Sequence, residues 1–215
     1  MRKIAVMAGT IQDTNMGRKV LEEKGYICHG EIPVSNTPLE QMIFQTKSSE
    51  YKKEIISKHI RSLEDEGFTH LFVYCNSLSG AVDFDELAGE TGIKIVTPLH
   101  AYKEVAVSAD KIMVISANAQ GLAGIEKVLF SANENLQLIG ITLLEMVKAI
   151  ENNFPPEKIL EDFKLESLLQ YGEYFGIEKI ILGCTHFPYL ENQLTTKTRI
   201  EVVNPANKMI SLLNI

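Results

Sequence analysis

Two of the three cysteines in this chain stand where an apolar run stops and small polar residues begin. Cys75 lies in VYCNSLSG, residues 73–80, and Cys184 in IILGCTHFP, residues 180–188. A thiol between a strand end and a helix start sits near the positive end of the helix dipole, which favours the thiolate. The N–H groups of such a turn, with the side chains of Asn76, Ser77 and Thr185, can also grip a carboxylate. One unit of this kind supplies a nucleophile or a general base. Two of them facing one ligand supply a base on each face of a tetrahedral carbon. Such a pair can invert a stereocentre without a cofactor. One thiolate removes the α-proton, charge passes into the adjacent carboxylate, and the opposite thiol returns a proton to the other face. Because that carbon is a weak acid, donors must surround the carboxylate. Gly9 and Thr10, after the first strand, and Asn118, in the matching place further on, join Asn76, Ser77 and Thr185 as candidates. Thr10 and Asn118 could equally be helix N-caps. A buried inert thiol is the ordinary reading of a lone cysteine, and it is the recurrence of the setting at Cys184 that argues for chemistry. Cys28, in GYICHGE, has no counterpart and reads as structural.

The elements that must position these residues follow an α/β alternation. Strands are expected at 3–8, 69–74, 93–96, 111–115, 137–141, 178–182 and 200–203, with 26–33 a weaker candidate. Helices are expected at 48–66, stopped by Gly67, and at 156–175, between Pro155–Pro156 and Gly176. Nearly continuous apolar strands imply sheets covered on both faces, hence parallel strands in a doubly wound arrangement.

The chain also resembles itself. KIAVMAGT from Lys3 answers KIMVISAN from Lys111, GFTHLFVYC (67–75) answers GIEKIILGC (176–184), and IVTP (95–98) answers VVNP (202–205). Each cysteine falls eight residues after its glycine. The three anchors keep one order and nearly one offset, which suggests two pseudo-symmetric α/β lobes. Residues 1–97 form the first lobe and 98–205 the second, and a terminal helix over 206–215 packs back on the first. Ligands of open parallel sheets bind beyond the carboxyl ends of the strands, so the cleft between the lobes is the expected active site.

Bulk properties narrow the function. The formal charge is −7, which gives nucleic acid no electrostatic footprint. No run approaches the roughly 18 apolar residues of a membrane span. The N-terminus reads as a first strand, because the polar TIQDTN interrupts any signal-peptide core. The expected location is the cytoplasm, where an odd number of scattered cysteines would remain thiols. Cys28–His29 and Cys184–His186 lack the tight ligand pairing of metal sites, so no metal is expected. The glycine turns at 9 and 80 do not form a dinucleotide fingerprint. His186 could handle protons near neutrality or serve only the turn after Cys184.

CNSLSG and GCTHFP resemble the two cysteine motifs of the aspartate/glutamate racemase superfamily. The match takes in the strand before each cysteine, and GCTHFP is the more specific of the two. The resemblance implies a two-lobed α/β fold and racemisation without pyridoxal phosphate or any other cofactor. It also implies Cys75 and Cys184 as the bases, polar neighbours as carboxylate ligands, and His186 assisting the second thiol. Glutamate racemases carry Asp-Ser-Gly after the first strand. This chain has MAGTIQDTNMG, with Ala8 and Gly9 where Asp and Ser would fall and Asp13 on the loop that follows. That turn is closer to aspartate racemases and the wider superfamily. The expected partner is an acidic amino acid or a related carboxylate, and a homodimer is compatible with that reading. The alternatives keep the scaffold: a hydantoin racemase, a diacid cis–trans isomerase, a decarboxylase, or a carboxylate-binding protein without turnover. Decarboxylating relatives manage with one cysteine, so the presence of both leans against that version.

Overall fold

The computed structural model describes residues 2–214. Met1 and Ile215, at the outer limits of the expected lobe and terminal helix, lie outside the described residues. The chain divides into two compact units, Met1–Ala101 with Ala206–Ile215, and Tyr102–Pro205.

The first unit runs β1 (Ile4–Ala8), α1 (Ile11–Glu23), β2 (Cys28–Pro33), α2 (Pro38–Gln45), α3 (Ser49–Asp65), β3 (His70–Val73), α4 (Asn76–Ala81), α5 (Phe84–Glu90) and β4 (Lys94–Val96). Helix α6 (Pro98–Ala106) follows. The second unit runs β5 (Lys111–Ser116), α7 (Ala119–Ala132), β6 (Gln137–Thr142), α8 (Leu144–Glu151), α9 (Pro156–Asp162), α10 (Leu165–Tyr174), β7 (Lys179–Gly183), a 3-10 turn (Phe187–Leu190), α11 (Glu191–Lys197) and β8 (Glu201–Val203). Helix α12 (Pro205–Leu213) ends the chain.

Each unit holds one parallel four-stranded sheet, in the orders β2-β1-β3-β4 and β6-β5-β7-β8. Renumbering the second sheet from one gives the first, so the repeat read from the sequence is a repeat of topology. The weaker strand candidate, 26–33, is β2, paired in parallel with β1.

Alternation along each strand sorts side chains onto two faces. In the first unit Ala5, Met7, Leu71, Val73 and Ile95 pack with Ile56, Ile60 and Leu63 of α3. Ile4, Val6, Phe72, Tyr74 and Val96 take the other face, with Leu21 of α1 and Ala206, Met209 and Leu213 of α12. In the second unit Met113, Ile115, Ile180 and Leu182 pack with Met146, Ile150, Ile159, Leu165 and Leu194. Helix α7 lies against β5, β6 and β7. Because both faces are covered, the central strands β1 and β3 are buried throughout, whereas edge strands β2 and β6 are half-exposed.

Gly67 and Gly176 end the helices that precede β3 and β7, with φ of +77° and +70°. The caps match bond for bond. Gly67 N–H donates to Glu64 O and Phe68 N–H to Leu63 O, while Gly176 N–H donates to Glu173 O and Ile177 N–H to Gly172 O. This left-handed cap favours glycine, and it fixes where each following strand starts.

The single helix expected over 156–175 is broken. Lys164 takes a left-handed conformation, φ 52° and ψ 38°, between α9 and α10. A continuous helix at 3.6 residues per turn would set the middle of the Ile159–Leu160 pair roughly 150° from the middle of the Leu165–Leu169 pair, with Leu160 and Leu169 on opposite sides. All four are buried in one core, and the break turns both pairs toward it. Among the described residues no helix is long and apolar enough to cross a membrane.

Candidate active site

In each sheet the connections leave the inner pair of strands, β1/β3 or β5/β7, toward opposite edges. The carboxyl ends of that pair are where such sheets bind ligands. Cys75 follows β3 and Cys184 follows β7, so each thiol occupies the equivalent switch point of its own unit.

Cys75 is buried and is the N-cap residue of α4. Its sulfur lies 3.3 Å from Gln41 Nε2 and 3.5 Å from Ser77 Oγ. Backbone N–H groups of Leu78 and Gly9 also hydrogen-bond it. Gly9 and Thr10 join β1 to α1, and Thr10 Oγ1 caps that helix by accepting from Asp13 N–H at 3.2 Å. The same hydroxyl donates to Asp13 Oδ2 at 3.0 Å. Asn76 is buried beside the thiol. Gly9, Thr10, Cys75, Asn76 and Ser77 are therefore grouped at one end of the first sheet.

Two expectations need correction here. Asp13 does not lie on a loop. It occupies the first turn of α1 and is only 5% exposed, held by the Thr10 cap. Nor is the Cys75 thiol lowered by its helix. Burial pushes it up, and the charge of the Asp13 carboxylate pushes the same way. The Ser77 hydroxyl and the two backbone N–H groups pull downward without winning. The helix behind Cys75 is a six-residue stub, too short for its dipole to outweigh desolvation.

In the second unit Cys184 is also buried, but a 3-10 turn, not an α-helix, follows it. His186 Nδ1 stands 3.7 Å from the Cys184 sulfur, and His186 Nε2 stands 3.2 Å from Glu151 Oε1 at the end of α8. His186 is 5% exposed, so the thiol and imidazole are largely screened from water, while the Glu151 carboxylate is partly exposed. Thr185, the residue between Cys184 and His186 in the sequence, is buried as well. Asn118 caps α7 by accepting from Gly121 N–H at 2.8 Å, as Thr10 caps α1. Ser116 Oγ donates to Gly183 O at 3.3 Å, tying β5 to β7 just before the thiol. Glu151, Gln41 and Gln45 were not among the sequence candidates. Cys28 donates to Gly30 O at 3.2 Å on edge strand β2.

The model of one family, Asp/Glu/Hydantoin racemase, matches residues 28–213. The chain belongs to that family. This racemase-family chain is 25% identical over 202 residues to glutamate racemase 1 of Caldanaerobacter subterraneus subsp. tengcongensis, covering 89% of the chain and 70% of that relative. It spans between 43% and 70% of the lengths of the curated glutamate racemases it matches. Its fold is that of an aspartate racemase homologue from Pyrococcus horikoshii, with TM-score 0.73, 18% identity and full coverage of both chains. A crystal structure of glutamate racemase from Francisella tularensis with D-glutamate has TM-score 0.70 and 18% identity. That match covers 99% of this chain and 79% of the other.

Proposed function

We propose that the protein is a cofactor-independent racemase of an acidic amino acid, aspartate or glutamate, with Cys75 and Cys184 acting on opposite faces of the α-carbon. One thiolate takes the α-proton, so that its S–H bond forms as the Cα–H bond breaks. The electron pair passes into the substrate carboxylate, and the other thiol delivers its proton to the opposite face, becoming the thiolate in turn. The reverse reaction starts from that second thiolate. His186, aligned at its far nitrogen by Glu151, moves the proton on and off Cys184. Gly9, Thr10, Asn76, Ser77, Asn118 and Thr185 line the ends of the inner strands and hold the carboxylate through their N–H, hydroxyl and amide groups.

The observation that carries this reading is the recurrence of a buried thiol after the third strand of each unit, in sheets of one topology. A one-thiol reaction gives no reason for the second setting. Family membership and the match to glutamate racemase 1 support the same substrate class.

A second reading keeps the mechanism and changes the substrate to a hydantoin. It is favoured by Ala8, fully buried where glutamate racemases carry their aspartate. Single enantiomers of aspartate, glutamate and a 5-substituted hydantoin, each incubated with the protein in D₂O, separate the readings. An acidic amino-acid racemase incorporates deuterium at the α-carbon of aspartate or glutamate as optical rotation is lost, and leaves the hydantoin at its uncatalysed rate. Exchange confined to the hydantoin would replace the first reading by the second, and no exchange with any of them would remove both.

A further inference from the structure

The two thiols are served differently. Cys184 has a titratable neighbour, His186, whereas the groups around Cys75 are neutral donors from three elements and one carboxylate. From α2, Gln41 Nε2 reaches the Cys75 sulfur at 3.3 Å and Ser77 Oγ at 3.2 Å. Gln45 Nε2, one turn further along α2, reaches the same Ser77 Oγ at 2.8 Å. A serine hydroxyl has one hydrogen to donate and two lone pairs to receive. With both lone pairs taken by the two amides, its hydrogen is left for the sulfur 3.5 Å away. Both hydrogens of the Gln41 amide are likewise committed, one to Ser77 and one to Cys75. The network therefore has a direction, with every donor running toward the sulfur.

Two further features hold that direction. A Cβ built on Gly9 would fall 1.8 Å from Gln41 Nε2, so the bare glycine is the surface on which the amide rests. Lys52 of α3, only 9% exposed, donates its Nζ to Gln45 O at 3.3 Å. That bond satisfies a carbonyl in the last turn of α2 with a cation, as the helix dipole prefers.

We propose that Gln41 is a catalytic residue of the first half-site: its side-chain N–H donates to the Cys75 sulfur and holds it as the thiolate, with Ser77 and Gln45 keeping the amide aimed. The proposal rests on the reading of Cys75 as an acid/base group. Gln41 thereby does for the first thiol, without titrating, part of what His186 does for the second. The other groups facing the sulfur are the Leu78 N–H on α4, the Gly9 N–H after β1, and the Asp13 carboxylate on α1, which opposes the thiolate.

The test is the pH dependence of iodoacetamide alkylation in the full chain, with Cys75 and Cys184 resolved as separate peptides by mass spectrometry. Losing one donor to a charged sulfur raises the Cys75 midpoint by about one pH unit, a roughly tenfold smaller thiolate fraction. Gln41→Leu and the shortened Gln41→Asn are both expected to do so, and Gln41→Glu to raise it further by setting a second carboxylate beside the sulfur. The Cys184 midpoint stays at its wild-type value in each, which also reports an intact fold. A Cys75 midpoint that stays put or falls in Gln41→Asn and Gln41→Leu overturns the proposal. Because the readout is ionisation of a thiol, a protein that racemises nothing could still pass it, and a working racemase could still fail it.

Discussion

Gly183 is the residue before the second thiol, and the structure gives a reason for its missing side chain. A Cβ there would meet Ile125 Cδ1 at 2.7 Å, Ile115 O at 3.1 Å and Val114 Cγ1 at 3.1 Å. The second of these is the backbone of the neighbouring strand β5, which cannot turn aside as a flexible side chain can. Gly183→Ala therefore overpacks the sheet between β5 and α7. Overpacking of this kind costs about 1–3 kcal/mol, against which burial of the added methyl returns about 0.8 kcal/mol. A net loss of about 0.2–2 kcal/mol should lower Tm by roughly 0.5–8 °C in a chain of this size, read by calorimetry. If strand β7 moves to make room, Cys184 moves with it, and kcat should fall by about tenfold or more. The nearest obstruction can be removed separately. Ile125→Val deletes Cδ1 at a cost of about 0.5–1.5 kcal/mol by itself. Combined with Gly183→Ala it should cost clearly less than the sum, because the methyl enters the space just vacated. Strict additivity, or an alanine variant with wild-type Tm and kcat, would refute the close-approach reasoning.

Other perturbations separate the two half-sites. Asp13→Asn removes the charge that pushes the Cys75 thiol up, so the alkylation midpoint of Cys75 should move down in pH while that of Cys184 does not. A midpoint that stays or rises contradicts the placement of Asp13 beside the first thiol. Glu151→Gln loosens the partner of His186 and should lower kcat by about 10–10² with little change in KM. His186→Asn should cost about 10²–10⁴, and an unchanged kcat in both variants, measured by polarimetry, would remove the histidine from the mechanism.

The sequence reveals the central strands because burial on both faces leaves them as unbroken apolar runs, ending where Cys75 and Cys184 begin. Gly67 and Gly176 are legible for a related reason, since a left-handed helix cap favours that residue. Gln41 and Glu151 leave no such trace. Each lies on a helix whose composition is ordinary, and each meets its thiol group only through packing of segments 34 and 35 residues apart. The break at Lys164 is hidden by good local helix formers on both sides; the demand that Leu160 and Leu169 share one core overrides them. The upward push on the Cys75 thiol is not legible in the sequence, because strand–helix order reports the dipole, whereas burial and the inward turn of Asp13 belong to tertiary structure.

Enantiomer-resolved exchange in D₂O by Cys75→Ala and Cys184→Ala bears most directly on the two-thiol account. Each variant should lose racemisation while still exchanging the α-proton of one enantiomer, and the enantiomer exchanged should be opposite in the two. Wild-type racemisation by either variant, or exchange of the same enantiomer by both, would contradict it.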